Sequence, residues 1–347
     1  MAAVKITSAQ RSMTLELKNR RVAVLGSNSF AGAAFIKRLL DDGADVVGFN
    51  RSGEGSPIFL QHRWAPSAGR YRFVQADLNR DLDAITGVLR AFQPSVIADF
   101  AGQGMVAESW QNPDQWFETN IVAKVRLHDV LRTLEGLGRY IRVSTPEVYG
   151  SHDSLLSETW QFNPSTPYAV SHAAIDMSLR TFHQRYGFPV VFTRFANFYG
   201  PGQQLYRIIP RTIIYALLNR KLQLQGGGRS VRAFIYGSDV ANAIVRSIIH
   251  GVPGETYHFS PGDFYTIRDV VAAIAEYMNV DFGTLVEMVP DRPSKDQAYL
   301  MDSSKAHRAL GWTPQVGLPG GIAKTVDWIT ANLGEIKNLP LHYIHKV

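Results

Sequence analysis

The chain has 347 residues, a formal net charge of +6, 45% hydrophobic and 19% charged residues, and no cysteine. That describes a soluble globular chain able to bury a large core, and it excludes disulfides and thiolate metal sites. Lys and Arg are scattered rather than blocked, which argues against a nucleic-acid patch and suits an anionic small molecule.

Residues 1–20 lack the apolar stretch of a secretory leader and read as an N-terminal extension. No apolar run approaches the ~20 residues that span a bilayer, so a cytoplasmic protein without membrane contact is expected. Arg21–Leu25 is a β-branched run followed by Gly26-Ser-Asn-Ser29-Phe30-Ala31-Gly32 and a helical stretch. Strand, Gly-rich turn and helix are the context of a dinucleotide fingerprint. Gly26 would make the tight turn, Gly32 would let the helix approach the strand, and the helix N-terminus would face a pyrophosphate. Ser29 stands where the fingerprint has its middle Gly.

The next strand, Asp45–Phe49, ends in Asn50-Arg51-Ser52 and lacks the acidic residue that holds the ribose hydroxyls of NAD. Arg51 and Ser52 suit a 2′-phosphate, so the cofactor is read as NAD(P) with a lean towards NADP. A solvated loop charge is the other reading of Arg51. Strand 72–76 leads to Asp77-Leu78, placed to cap an adenine; 82–92 is an amphipathic helix; strand 95–100 ends in Ala101-Gly102-Gln103. Trp116 to Leu134 has helical periodicity and includes Asn120. The alternation predicts an α/β fold with a doubly wound parallel sheet.

A fifth strand delivers Ser144, Thr145, Pro146 and Glu147 to the sheet edge. Beyond a polar loop, Tyr168 and His172 lie four residues apart at the start of a helix and share a face. Hydroxyl, carboxylate, phenol and imidazole converging on one cleft are the parts of a proton-transfer site.

Taken together, the motifs resemble the extended short-chain dehydrogenase/reductase family, and within it the nucleotide-sugar 4,6-dehydratases for dTDP-glucose and GDP-mannose. The matching pieces run collinearly: the turn at 26–32, Ala76-Asp77-Leu78, Ala101-Gly102-Gln103, Thr119-Asn120, Ser144-Thr145-x-Glu147-Val148-Tyr149-Gly150 and Pro167-Tyr168-x-x-Ser171. They continue through Arg194-Phe-Ala-Asn197-x-Tyr199-Gly200-Pro201, Arg232-Ala-Phe-Ile-Tyr236, Asp291-Arg292-Pro293 and Leu310-Gly311-Trp312-x-Pro314. The resemblance implies a Rossmann-type domain over 21–200 and a smaller mixed α/β sugar-nucleotide lobe over 201–347, with some exchange of elements between them. It implies catalysis by Thr145, Glu147, Tyr168 and His172. The cofactor would lie on Gly26, Ser29, Phe30, Ala31, Gly32, Asn50, Arg51, Ser52, Asp77, Leu78, Ala101, Gly102, Gln103 and Asn120, with Tyr168 and His172 on its nicotinamide ribose. The nucleotide-diphospho-sugar would contact Ser144, Thr145, Asn197, Arg207, Arg232 and Arg292. A homodimer is also implied, and no metal.

Two departures stand out. His172 replaces the family's Lys, and a His is a cation only when protonated. Pro146 replaces an acid that the dTDP-glucose enzymes use at carbon 6, a position that is Ser in the GDP-mannose enzymes. The expected activity is a 4,6-dehydratase working through a transient 4-keto sugar with an internally recycled cofactor. A 4-epimerase or decarboxylase of the same family is the alternative, and a catalytically weakened sugar-nucleotide-binding homologue is the alternative of another class. In the second half, Asp239 reads as a helix N-cap, His258 as structural, and the tail LPLHYIHKV carries no legible role.

Overall fold

The computed structural model of the chain describes residues 16–67, 69–290 and 298–346. Strands β1 (Arg21–Leu25), β2 (Asp45–Asn50), β3 (Arg70–Gln75), β4 (Val96–Asp99), β5 (Arg139–Ser144) and β6 (Val190–Phe195) join an edge strand, Thr256–Phe259, in one sheet. The order is edge strand, β6, β5, β4, β1, β2, β3, and every pairing is parallel. This is the expected Rossmann-type doubly wound α/β class. The order reverses between β1 and β4, which opens a crevice beyond their C-terminal ends, where such sheets bind ligands.

β1, β4 and β6 read as near-continuous apolar runs because helices cover both faces of the sheet. On one face Phe35, Ile36 and Leu39 of helix Phe30–Asp41 meet Val240, Ile244 and Ile248 of helix Gly237–His250. On the other, Ile85, Leu89, Leu127 and Leu179 fill the space under three further helices. Each such side chain contributes about 1.5–3 kcal/mol on leaving water. A smaller lobe forms around Ile209, Ile213, Ile274, Ile322 and Ile329, from helices Ile208–Leu217, Ile267–Tyr277 and Leu318–Ala331. Helix Gly237–His250 and strand Thr256–Phe259 pack on and join the main sheet although they follow residue 201.

Several expectations change. Leu17 is fully buried in the first core, and Asp45 N–H donates to Arg20 O at 3.0 Å, so residues 16–20 belong to the folded body. The stretch 116–134 is not one helix: Pro113–Phe117, a π turn at Glu118–Val122 and Ala123–Leu131 follow one another. The wider turn rotates Asn120 inward, where its amide is tied down. Asp239 is not an N-cap. It lies inside the first turn and accepts from the N–H groups of Gln315 and Val316, both at 3.0 Å, which pins the approach to the last long helix. His258 is buried against Tyr149 Oη at 2.8 Å. Among the described residues, no helix is long and apolar enough to cross a membrane.

Candidate active site

Two cavities of about 560 and 730 Å³ lie along the crevice. They share Ser29, the turn 100–105, Tyr206 and Arg207, and so form one continuous cleft. Gly26, Asn50, Arg51, Ser52, Asp77 and Leu78 line the first, over β1 and β2. The turn after β1 is as tight as the sequence predicts. Gly26 has φ +78°, and a Cβ there would sit 2.8 Å from Ala101 N. A Cβ on Gly32 would come within 2.4 Å of Gly26 O. Ser29 caps the helix: its Oγ accepts from Gly32 N–H at 3.1 Å and donates to Gly26 O at 2.7 Å. That hydroxyl proton is therefore spent within the turn. The close turn, the helix N-terminus above it and the long cleft fit a dinucleotide.

Thr145, Pro146, Glu147, Tyr168 and His172 line the second cavity together. β5 ends at Ser144, and Thr145 starts a short 3-10 turn by accepting from Glu147 N–H at 3.2 Å. Thr166 caps the helix Pro167–Tyr186 with Pro167 at its first position, which sets Tyr168 at the cleft edge. The Tyr168 and His172 rings lie 4.6 Å apart, as their spacing predicts. Burial raises the pKa of the Tyr168 phenol and the Glu147 charge adds to this; a hydrogen bond with Thr145 and the charges of Arg207 and Arg142 work against it.

Behind His172 lies a group of buried charges. Arg142 donates from Nη2 to His172 Nδ1 at 3.0 Å and from Nε to Asp176 Oδ1 at 3.0 Å. Asp176 also accepts from Arg194 Nη2 at 2.9 Å and from Ser144 Oγ at 2.6 Å. A second centre adjoins it, with Lys124 Nζ on Asp99 at 2.7 Å and on Ala101 O at 2.6 Å, and Asp99 also bonded to Tyr140. Arg142 Nη1 bridges the centres, 3.7 Å from Asp99. Lys124, Arg142 and Arg194 against Asp99 and Asp176 leave one positive charge in surplus.

A guanidinium only donates, so His172 Nδ1 is an acceptor and the neutral ring carries its proton on Nε2. Burial holds His172 well below the usual imidazole range, and Arg142, Lys124 and Arg194 push the same way. Asp176, one turn along the helix, does not meet the imidazole in any hydrogen bond; it holds the arginine that does. Burial also brings Lys124 down to about 8 against the pull of Asp99.

The sequence signature of GDP-mannose 4,6 dehydratase matches residues 24–325. The chain belongs to this family. It lies within the extended short-chain dehydrogenase/reductase group of nucleotide-sugar dehydratases and epimerases. The dTDP-glucose 4,6-dehydratase of Xanthomonas campestris pv. campestris is 31% identical over 327 residues, which covers 89% of this chain and 93% of the relative. Among solved structures, a dTDP-glucose 4,6-dehydratase from Streptomyces venezuelae with NAD bound shares 31% identity at a TM-score of 0.82, covering 90% of this chain and 98% of that one. The UDP-glucose 4-epimerase of Thermus thermophilus in complex with NAD shares 28% identity at a TM-score of 0.80, over 89% and 99% of the two chains.

For a member of this family, the remaining expected residues divide by placement. Phe30, Ala31, Ala101, Gly102, Gln103, Asn197, Arg207 and Arg232 all line the cleft. Ser144 does so too, although its hydroxyl proton goes to Asp176. Asn120 does not. It is buried, taking Gln103 N–H at 2.8 Å and donating to Gln103 O and Ser171 Oγ at 3.0 Å each. It braces the turn against the helix instead of lining the cleft. Gly32 is packed under the turn rather than facing the cleft. Arg292, with Asp291 and Pro293, lies outside the described residues. Sequence reasoning misses Arg142, Lys124 and Asp99. The signal is present, since a charge inside an apolar strand must find a partner.

Proposed function

We propose that this chain is a nucleotide-diphospho-sugar 4,6-dehydratase. The observation that carries the reading is the meeting of Thr145, Glu147 and Tyr168 on one wall of the 730 Å³ cavity, beside the dinucleotide turn. A nicotinamide dinucleotide, when bound, supplies the acceptor for the hydride leaving carbon 4 and the donor of a hydride to carbon 6. Tyr168, as phenolate, takes the proton of the sugar 4-hydroxyl, and Thr145 orients the same oxygen. Once carbon 4 is a ketone, the carbon-5 proton is acidic and Glu147 takes it. Pro146 has no proton to give, so Glu147 passes its own to the departing carbon-6 hydroxyl, which leaves as water. The proton that Tyr168 took from the 4-hydroxyl, exchanged through solvent onto carbon 5 as hydride arrives at carbon 6, completes a 4-keto-6-deoxy sugar and restores the phenolate.

His172 holds the cofactor ribose through Nε2–H, and Arg142 supplies from behind it the fixed positive charge that favours the phenolate. Arg207 and Arg232 bind the substrate diphosphate, with Asn197 at its sugar end. Arg51 and Ser52 at the end of β2 support acceptance of NADP at least as well as NAD. Trp110, Phe117, Val122, Val170 and Met177 are exposed on adjoining segments and support a homodimer through the helices 113–131 and 167–186.

Glu147 also separates this reading from a 4-epimerase, which needs no carbon-5 base. The test is a panel of nucleotide sugars incubated with the parent and Glu147→Gln and read by mass spectrometry. The parent is expected to yield a product one water lighter. The variant is expected to lose about 10²–10⁴-fold of that activity while still reducing its cofactor on mixing with substrate. A product of unchanged mass and altered stereochemistry, formed equally by both, would make the chain an epimerase.

A further inference from the structure

The last described residues, which carry no legible role in the sequence, cross the mouth of the dinucleotide cleft. Leu339 and Leu341 anchor the segment on the core of the smaller lobe. From there Tyr343 packs its ring against Tyr206 with centroids 5.4 Å apart. His345 lies flat on Trp116, at 5.4 Å and 8°, and its Nε2 meets Gln115 Oε1 at 2.6 Å. The segment then reaches the end of β2. Lys346 O accepts from Arg51 Nη2 at 3.1 Å and from Gln103 Nε2 at 3.0 Å, while Lys346 Nζ donates to Ser52 Oγ at 3.0 Å.

These contacts tie both lobes together across the cleft rather than filling it. A cavity of about 560 Å³ remains beneath, with Pro340, His342, Tyr343, Ile344 and Lys346 as its roof and the turn after β1 as its floor. A molecule as long as a dinucleotide, lying on that floor, is covered from the adenosine end to the turn 101–104 and leaves only when the roof lifts. At the adenosine end, two cations 295 residues apart in the chain and one hydroxyl converge. Neither Arg51 nor Lys346 has a carboxylate partner among the described residues. A guanidinium, an ammonium and a hydroxyl together form a donor set for phosphate.

We propose that residues 339–346 are a strap that retains the dinucleotide, and that Lys346 joins Arg51 and Ser52 in binding a phosphate on its adenosine ribose. The proposal rests on the dinucleotide reading above. It also suits that reading's chemistry: a cofactor returned to its starting state in each turnover gains nothing by leaving.

The test is binding and release of NADP(H) and NAD(H) by the full chain, followed by calorimetry and by stopped-flow nicotinamide fluorescence. Lys346→Ala and Arg51→Ala are each expected to weaken NADP by about tenfold or more and to leave NAD within about threefold, since one charge-assisted bond to phosphate is lost. His345→Ala, which breaks the stack on Trp116 but touches no phosphate, is expected to speed release of NADPH and NADH alike by about tenfold. Thermal melting of each variant separates these effects from loss of the fold. Equal effects of Lys346→Ala on NAD and NADP, or none, overturn the phosphate role. Unchanged release from His345→Ala overturns the strap. A parent that binds NAD alone removes the phosphate role and leaves the strap to the His345→Ala arm. A parent that binds neither cofactor defeats the dinucleotide reading and the strap together.

Discussion

The turn at Gly26–Gly32 and the group behind His172 stand on either side of one cleft, but they are held in different ways. The turn works through backbone: a positive φ at Gly26, a Cβ-free approach at Gly32, and a Ser29 cap closed within the same few residues. The group behind His172 works through side chains that meet only when β4, β5, β6 and two helices are assembled. A local arrangement of this kind is fixed by chain geometry and tolerates change elsewhere. The assembled one is fixed by mutual satisfaction of buried charges, and removing one partner leaves another uncompensated.

The contrast is sharpest in acid. The turn contains no buried titratable group, whereas His128 and His258 are both pushed down to about 3 by burial. The unfolded chain takes up these protons near a reference pKa of ~6.5, and the folded chain does not until far lower pH. More protons are then bound by the unfolded state, so stability falls as pH drops below ~6.5, by about 1.4 kcal/mol per pH unit for each group. His172 adds to the same trend. Urea midpoints measured from pH 7 to pH 5 should decline steadily. A flat midpoint over that range would show that these imidazoles are not held neutral.

A smaller effect is expected from restoring the residue that the family resemblance leads one to look for. His172→Lys would set an ammonium against the Arg142 guanidinium, whose Nη2 now lies 3.0 Å from the imidazole. Single-turnover cofactor reduction by that variant should be no faster than in the parent between pH 7 and 9, and slower by at most about tenfold. A clear gain in rate would mean that the wall lacks a working fixed charge, and would erase the difference between the two regions.

The parts of the molecule that can be read in sequence follow the same division. Helix 82–92 and the strand beginning at Arg21 are legible because periodicity and turn residues are local signals. The same is true of the Tyr168–His172 pair, which a single helical turn brings together. The π turn at Glu118–Val122 is not legible, because the amide of Asn120 that it buries finds its partners at Gln103 and Ser171. Asp239 has the composition of a cap, yet its partners lie at Gln315 and Val316. Arg142 sits in plain view inside a strand, but His172 and Asp176, which explain a buried cation there, are 30 and 34 residues away. The tail at 339–346 has no periodicity at all, and its place is set by the core of the smaller lobe and by distant residues between 51 and 206.

The claim on which the catalytic account turns is that His172 is a neutral ring held in one tautomer by Arg142, with the fixed charge behind it rather than on it. Nitrogen-15 spectra of the histidine rings between pH 5.5 and 8.5, with His172→Gln to assign the signal, test this directly. The account predicts one ring with a proton on Nε2 and an unprotonated, hydrogen-bonded Nδ1 at every pH in that range. A His172 signal that becomes doubly protonated with a midpoint near ~6.5 would contradict it, and would return the charge to the imidazole itself.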